Sequence, residues 1–443
     1  MPTQRLKTLA SVVLFALLFY LSFSKLNLWF FIFPALWLLA KFRHFYLWLA
    51  GGFLAFFMSL WWIRIAMIDY GDVVPLVAYS LIALLVLFLA LIQFGGTYLL
   101  WRYTGYRIYL LPFAWVLMEV LRSLVPYGGF PWLILGELSV DMPLVKLYLT
   151  AGGVYLGSLL IMFISLLPYL LRDRLRAVIL ILIFLLPLPF LKREYTTPPQ
   201  GISVAVVQTN VEESIKLDKK RFYEYLPRMW SLLEQVIEHK PDIVFLPESA
   251  FPFTANTLHS EGKRLLEYSY KSAIVTGLID IRFMDGWSPH NSVFVIHEGK
   301  VRDFYDKVRL LPFGEYVPFP FGFVKEIFGA VAGMDYVPGQ EHRCLEVKGV
   351  KVATPVCFEV SYYNVLRDFS RCANLVAVLT NDGWFRDSDG TFQHLRQARV
   401  RAVENRLFLL WVNNTGPSAV ISPEGSILKE IPYGEEGFLL YSF

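Results

Sequence analysis

Two hydropathy patterns divide the chain. Through residue 191 apolar positions run almost unbroken, interrupted only by short polar or basic loops. A membrane-spanning helix needs about 20 mostly apolar residues. Seven such spans are predicted, at 8–24, 27–41, 44–67, 74–101, 108–124, 145–171 and 175–191. The first has the basic start of a signal peptide, but Ser22-Phe23-Ser24-Lys25 is a poor cleavage site, so it reads as a retained helix. After a polar, Pro-rich linker at 194–201 the pattern changes. Short apolar runs at 203–208, 243–247, 273–281, 292–297, 352–357, 375–380, 407–413 and 419–422 predict strands. Amphipathic stretches at 218–239, 259–270, 361–370 and 391–405 predict helices between them. Strands alternating with helices predict an α/β layered domain over 202–443, behind a polytopic α-helical membrane domain over 1–193.

Charge sharpens the division. Residues 1–195 carry 15 Lys/Arg against 7 Asp/Glu, and the rest carries 26 against 30. The net +4 is thus the sum of two unlike halves and predicts no nucleic-acid partner. Lys/Arg in the short loops favour a cytoplasmic N-terminus. Seven crossings then put the C-terminal domain outside, on the periplasmic or extracytoplasmic face. Glu119 and Arg122 share one helix face and read either as an interfacial ion pair or as a headgroup site. The Gly128-Gly129-Phe130-Pro131-Trp132 segment reads as an interfacial loop or a lipid contact. Cys344, Cys357 and Cys372 form an odd set without C-x-x-C spacing, which predicts neither a disulfide framework nor a zinc site.

Four segments of the α/β domain carry possible chemistry. Glu248 ends an apolar strand in Phe245-Leu246-Pro247-Glu248-Ser249. Lys307 precedes an apolar turn that ends in Glu315. Cys357 ends a buried strand just before a helix, where a helix N-terminus favours the thiolate and predicts a lowered thiol pKa. Asn381 and Trp384 lie in the Asn381-Asp382-Gly383-Trp384-Phe385 loop. Each alone has an ordinary explanation as a strand end, a solvated loop, a buried thiol or a turn.

Together, these four segments over 202–430 resemble the nitrilase (carbon–nitrogen hydrolase) superfamily, with Glu248, Lys307 and Cys357 in the places of its triad. Asn291-Ser292, the Leu311-Pro312-Phe313-Gly314-Glu315-Tyr316-Val317-Pro318 run and Arg399–Arg406 add to the match. With seven membrane helices and Gly129-Phe130-Pro131-Trp132, the chain resembles the apolipoprotein N-acyltransferase family within it. The resemblance implies an α-β-β-α sandwich. It also implies a ping-pong transfer of one acyl chain from a glycerophospholipid, through a thioester on Cys357. The acceptor would be the α-amine of the S-diacylglyceryl-cysteine of an apolipoprotein. No metal or organic cofactor is needed.

In that chemistry Glu248 is the base, and a base works best when burial raises a carboxylate's proton affinity. Lys307 faces the oxyanion with the backbone N–H of Phe358, and Glu315 and Glu359 support them. Lys307→Ala is then expected to abolish most turnover and leave the fold intact. Trp384 and Asn381 are expected near the substrate, as is Trp132. The apolar stretch 316–337, with Phe319, Phe321, Phe323, Ile327, Phe328 and Val331, is expected to form a membrane-facing lid. Phe358 stands where many members carry Tyr, and Trp411 where many carry Arg. Members often add a final apolar helix, and no apolar run after the catalytic domain is expected here. A tethered amidase, with water resolving the thioester, and a non-enzymatic nitrilase-like binding protein remain as alternatives.

Overall fold

The computed structural model describes residues 2–171, 178, 182, 184–185, 191, 194–283, 286–324 and 335–443. Contacts group the chain into two units. One comprises residues 1–64, 74–193 and 388–396, the other residues 65–73, 194–387 and 397–443.

In the first unit the described parts of the predicted spans are mostly helical, with shifted bounds, and the span 44–67 is broken by a turn over 60–62. Three helices are long and apolar enough to cross a membrane among the described residues: Gln4–Phe23, Pro75–Tyr103 and Pro143–Leu170. The shorter apolar helices are Trp29–Leu39 and Phe45–Ser59. Leu111–Arg122 forms the fifth predicted span. The seventh lies largely outside the described residues. Pro75–Tyr103 contains a π-helical turn, Leu91–Gly96, that turns Phe94 inward. Its ring packs on Phe15, Phe19, Phe56 and Trp115. A Cβ on Gly52 would sit 2.2 Å from that ring, so only glycine lets the helices approach there.

Arg122 is neither an interfacial ion pair nor an open headgroup site. It is 1% exposed. Its guanidinium donates to the carbonyls of Phe130 (3.0 Å), Trp132 (2.6 Å) and Leu133 (3.3 Å) and to Gln93 Oε1 (3.3 Å). Glu119 Oε1 accepts from Trp115 Nε1 and the Leu135 N–H. A buried guanidinium needs its donors filled, and here backbone carbonyls fill them, fixing the loop that follows the helix. Trp132 is likewise buried in this unit, and its Nε1 donates to Gln393 Oε1 at 2.7 Å.

The second unit carries two six-stranded sheets. The strands are β1 (Ser203–Gln208), β2 (Ile243–Phe245), β3 (Ala273–Phe283), β4 (Trp287–His297), β5 (Lys300–Asp306), β6 (Leu345–Val347), β7 (Val350–Ala353), β8 (Leu375–Thr380), β9 (Leu409–Asn413), β10 (Ser418–Ile421), β11 (Ile427–Ile431) and β12 (Gly437–Ser442). One sheet runs β12-β1-β2-β3-β4-β5, the other β11-β10-β9-β8-β7-β6. β1, β2 and β3 are mutually parallel, as are β7, β8 and β9, and hairpins and the returning β12 extend the edges antiparallel. The central strands are buried on both faces, as near-continuous apolar runs demand. The amphipathic helix Lys219–Glu238 buries Phe222, Met229, Trp230, Leu233, Val236 and Ile237. These join Val244, Leu246, Ile274 and Phe294 in one apolar core. Asp218 caps this helix by accepting from the Lys220 and Arg221 N–H groups, the local rule for a helix start.

One expectation about the cysteines is overturned. Cys344 and Cys372 form a disulfide, with Cα atoms 6.1 Å apart. The residues are 28 apart in sequence, and only the fold brings the start of β6 beside the end of the Tyr363–Phe369 helix. Spacing could not reveal this pairing. Cys357 is the free thiol.

Candidate active site

The site forms where strands of both sheets end. β2 leads into Leu246-Pro247-Glu248. That turn lies against β3 because residue 277 is glycine: a Cβ there would meet Glu248 Cα at 2.8 Å and Ser249 N at 2.9 Å. β5 ends one residue before Lys307, whose N–H donates to the Asn291 carbonyl at 2.9 Å. Past β7, Val356 bridges to Leu379 of β8. Cys357 then takes φ +51° and opens a 3₁₀ turn, Cys357–Ser361. A left-handed conformation costs a residue with a Cβ about 1–2 kcal/mol, so the surrounding packing holds the thiol in place.

Glu248, Lys307 and Cys357 meet here. Lys307 Nζ lies 2.9 Å from Glu315 Oε1 and 3.8 Å from Glu248 Oε1. Lys307 is 2% exposed. Asn291 Nδ2 donates to both carboxylates, at 2.7 Å to Glu248 Oε1 and 3.0 Å to Glu315 Oε1. Glu315 Oε2 also accepts the Leu311 N–H at 2.7 Å. Burial alone would lower the lysine's proton affinity. Glu315 first, then Glu248, outweigh it and hold the ammonium well above the ordinary lysine range. The ammonium is thus held charged between the two carboxylates.

Cys357 corrects the expectation of a lowered thiol pKa. Burial, and then the Glu248 carboxylate, push the thiol well above its ordinary range, against the pull of Lys307. Desolvation of a thiolate inside the domain exceeds the benefit of one helical turn. The Cys357 thiol therefore favours its protonated form in this setting.

Glu359 ties the site together. Its Oε1 accepts the Val308 and Arg309 N–H groups, both at 2.9 Å, just after Lys307. Its Oε2 accepts the Val356 N–H at 2.8 Å, just before Cys357. The Tyr305 hydroxyl donates to both oxygens. Because Lys307 is buried between carboxylates, its replacement is expected to cost stability, which the sequence-based expectation for Lys307→Ala did not include.

The remaining expected residues are more dispersed. Asn381 is buried and its Nδ2 donates to Glu213 Oε2 at 2.7 Å. Trp384 packs edge-on against Tyr70 at 5.7 Å. Phe358 is buried, with its ring edge-on to Tyr362. Phe321 packs edge-on to Phe313, and Phe319 is 89% exposed. The Phe323 side chain, Ile327, Phe328 and Val331 lie outside the described residues. Sequence reasoning did not single out Asn291 as a site residue. Its signal was the polar His290-Asn291-Ser292 stretch ahead of the apolar run 293–296. Among the described residues no group of three His, Cys, Asp or Glu could hold a metal ion.

Comparisons with known proteins bear on both units. The family model for the apolipoprotein N-acyltransferase N-terminal domain matches residues 15–167. That for carbon–nitrogen hydrolase matches residues 203–442. The chain is 46% identical to an apolipoprotein N-acyltransferase of Aquifex aeolicus over 100% of both chains. It is 31% identical to one of Rhizobium rhizogenes over 88% of this chain and 78% of the relative. Among solved structures it is similar to a nitrilase-superfamily amidase from Nesterenkonia, with 20% identity and TM-score 0.42, covering 55% of this chain and 92% of that one. A match along the whole length of a relative nearly half identical to it, with both domain models in order, shows that this chain belongs to the apolipoprotein N-acyltransferase family of carbon–nitrogen hydrolases.

Proposed function

We propose that the chain transfers a fatty acyl chain from a glycerophospholipid to the α-amine of an S-diacylglyceryl-cysteine, in two steps through Cys357. The observation that carries this reading is the buried Lys307 ammonium held between Glu315 and Glu248 in the site that also holds Cys357. In the first step Glu248 takes the thiol proton as sulfur attacks the ester carbonyl. Lys307, with the Phe358 N–H, faces the oxyanion. The tetrahedral intermediate collapses to the thioester, and Glu248 returns the proton to the departing lysophospholipid alkoxide. In the second step Glu248 takes a proton from the attacking amine, and collapse forms the amide. That proton goes to the departing sulfur and restores the thiol. A cation already in place costs no reorganisation when charge develops.

The proposed site lies on the extracytoplasmic side of a bacterial cytoplasmic membrane. The Cys344–Cys372 disulfide supports that placement, since such bonds persist mainly in oxidising compartments. The segment 316–337 is proposed as a membrane-facing lid. Trp384 is proposed to line the acyl path.

One assay tests these statements together. A diacylglyceryl-cysteinyl peptide is added outside sealed, right-side-out vesicles carrying the protein. The expected result is an N-acylated peptide and an equal amount of lysophospholipid. Product that appears only after permeabilisation reverses the side. Small-amide hydrolysis without transfer favours the amidase. Phe321→Ser with Phe323→Ser slows transfer while the melting temperature holds, and unchanged transfer removes the lid.

A further inference from the structure

A second lysine reaches the same turn. β1 is followed by a short helix, Glu213–Lys216. Asn414 Nδ2 donates to Asn381 Oδ1 at 2.9 Å, and Asn381 Nδ2 donates to Glu213 Oε2 at 2.7 Å, so the helix is braced from beneath. Lys216 Nζ then donates to the main-chain carbonyl of Glu248 at 3.3 Å. That is its one hydrogen bond among the described residues, whereas an ammonium carries three donors. The side chain is half-buried, and its field reaches Glu213, Glu248 and Cys357. Burial lowers its proton affinity, and those three groups oppose the shift.

The proposed reaction has no step for this cation. Lys307 already faces the oxyanion, and the acceptor amine must arrive uncharged, so a cation does not attract it. The donor lipid does bring an anion. Its phosphodiester lies a few bonds from the reacting ester, on the same glycerol. We propose that Lys216 binds the phosphodiester of the donor phospholipid and so seats its ester at Cys357. This rests on the reading above.

The test uses full-length protein in detergent micelles. The rate of acyl-adduct formation on Cys357 is measured with phosphatidylglycerol and with diacylglycerol of the same chains, which lacks the phosphate. The wild type is expected to prefer the phosphatidyl donor. A hydrogen bond to a charged group contributes about 1.5–3 kcal/mol, so Lys216→Gln should shrink the donor preference by about 10–100-fold, through KM, while Lys216→Arg retains most of it. Equal losses with both donors would show that Lys216 acts through the Glu248 turn and would overturn the proposal. So would a wild type without preference for phosphate, which needs no variant to fold. A wild type acylated by neither ester removes the underlying reading instead.

Discussion

Lys307→Met should lower turnover by about 10²–10³-fold, the usual cost of losing one group that stabilises an oxyanion. It should also destabilise the domain. The lysine is buried, 2.9 Å from Glu315 and 3.8 Å from Glu248, and its loss leaves two carboxylates facing each other across Asn291. Removing one partner of a buried ion pair costs about 3–5 kcal/mol. The two effects can be separated. Lys307→Met with Glu315→Gln removes one stranded charge, so the melting temperature should recover while turnover does not. Recovery of both would show that Lys307 serves folding alone.

Glu359→Gln is expected to have the next largest effect, although Glu359 is placed to touch no substrate. Its oxygens accept from Val308, Arg309 and Val356 N–H groups and from the Tyr305 hydroxyl. It thereby joins the segment after Lys307 to the residue before Cys357. The amide keeps the size but turns an NH2 toward a donor. Each buried donor left unpaired costs about 1–3 kcal/mol. A misplacement of about 1 Å between reacting groups can cost about 10²-fold in rate. The predicted signature is a large fall in kcat with little change in KM for lipid, together with a lower melting temperature. If only the melting temperature falls, Glu359 is a folding residue and not a positioning one.

Much of this architecture was legible because the informative residues sit where the pattern is strongest. β1 and β8 fall at their predicted bounds, since both are apolar runs buried within a sheet and flanked by polar turns. β5, β6, β11 and β12 escaped. All four are sheet edges; β5, β6 and β11 interleave Lys, Glu or Arg with few apolar residues, whereas β12 (Gly437–Ser442) is a short apolar run that the sequence reading passed over. The residues proposed as catalytic were picked out by resemblance, because spacing alone could not bring 248, 307 and 357 together. The sign of the Cys357 shift was misread from a local rule. A helix start favours thiolate, but burial and the Glu248 charge arise only in the folded domain. Asn291, Lys216 and the Cys344–Cys372 pair depend on the same long-range packing.

The central claim is that Cys357 carries the acyl chain. Intact mass of the detergent-purified protein, incubated with phospholipid beside Cys357→Ala, tests it most directly. The account predicts a gain of one acyl chain in the wild type, absent from the variant and discharged by a diacylglyceryl-cysteinyl peptide. An acylated peptide formed with no adduct on the wild type, or an adduct that persists in Cys357→Ala, would contradict it.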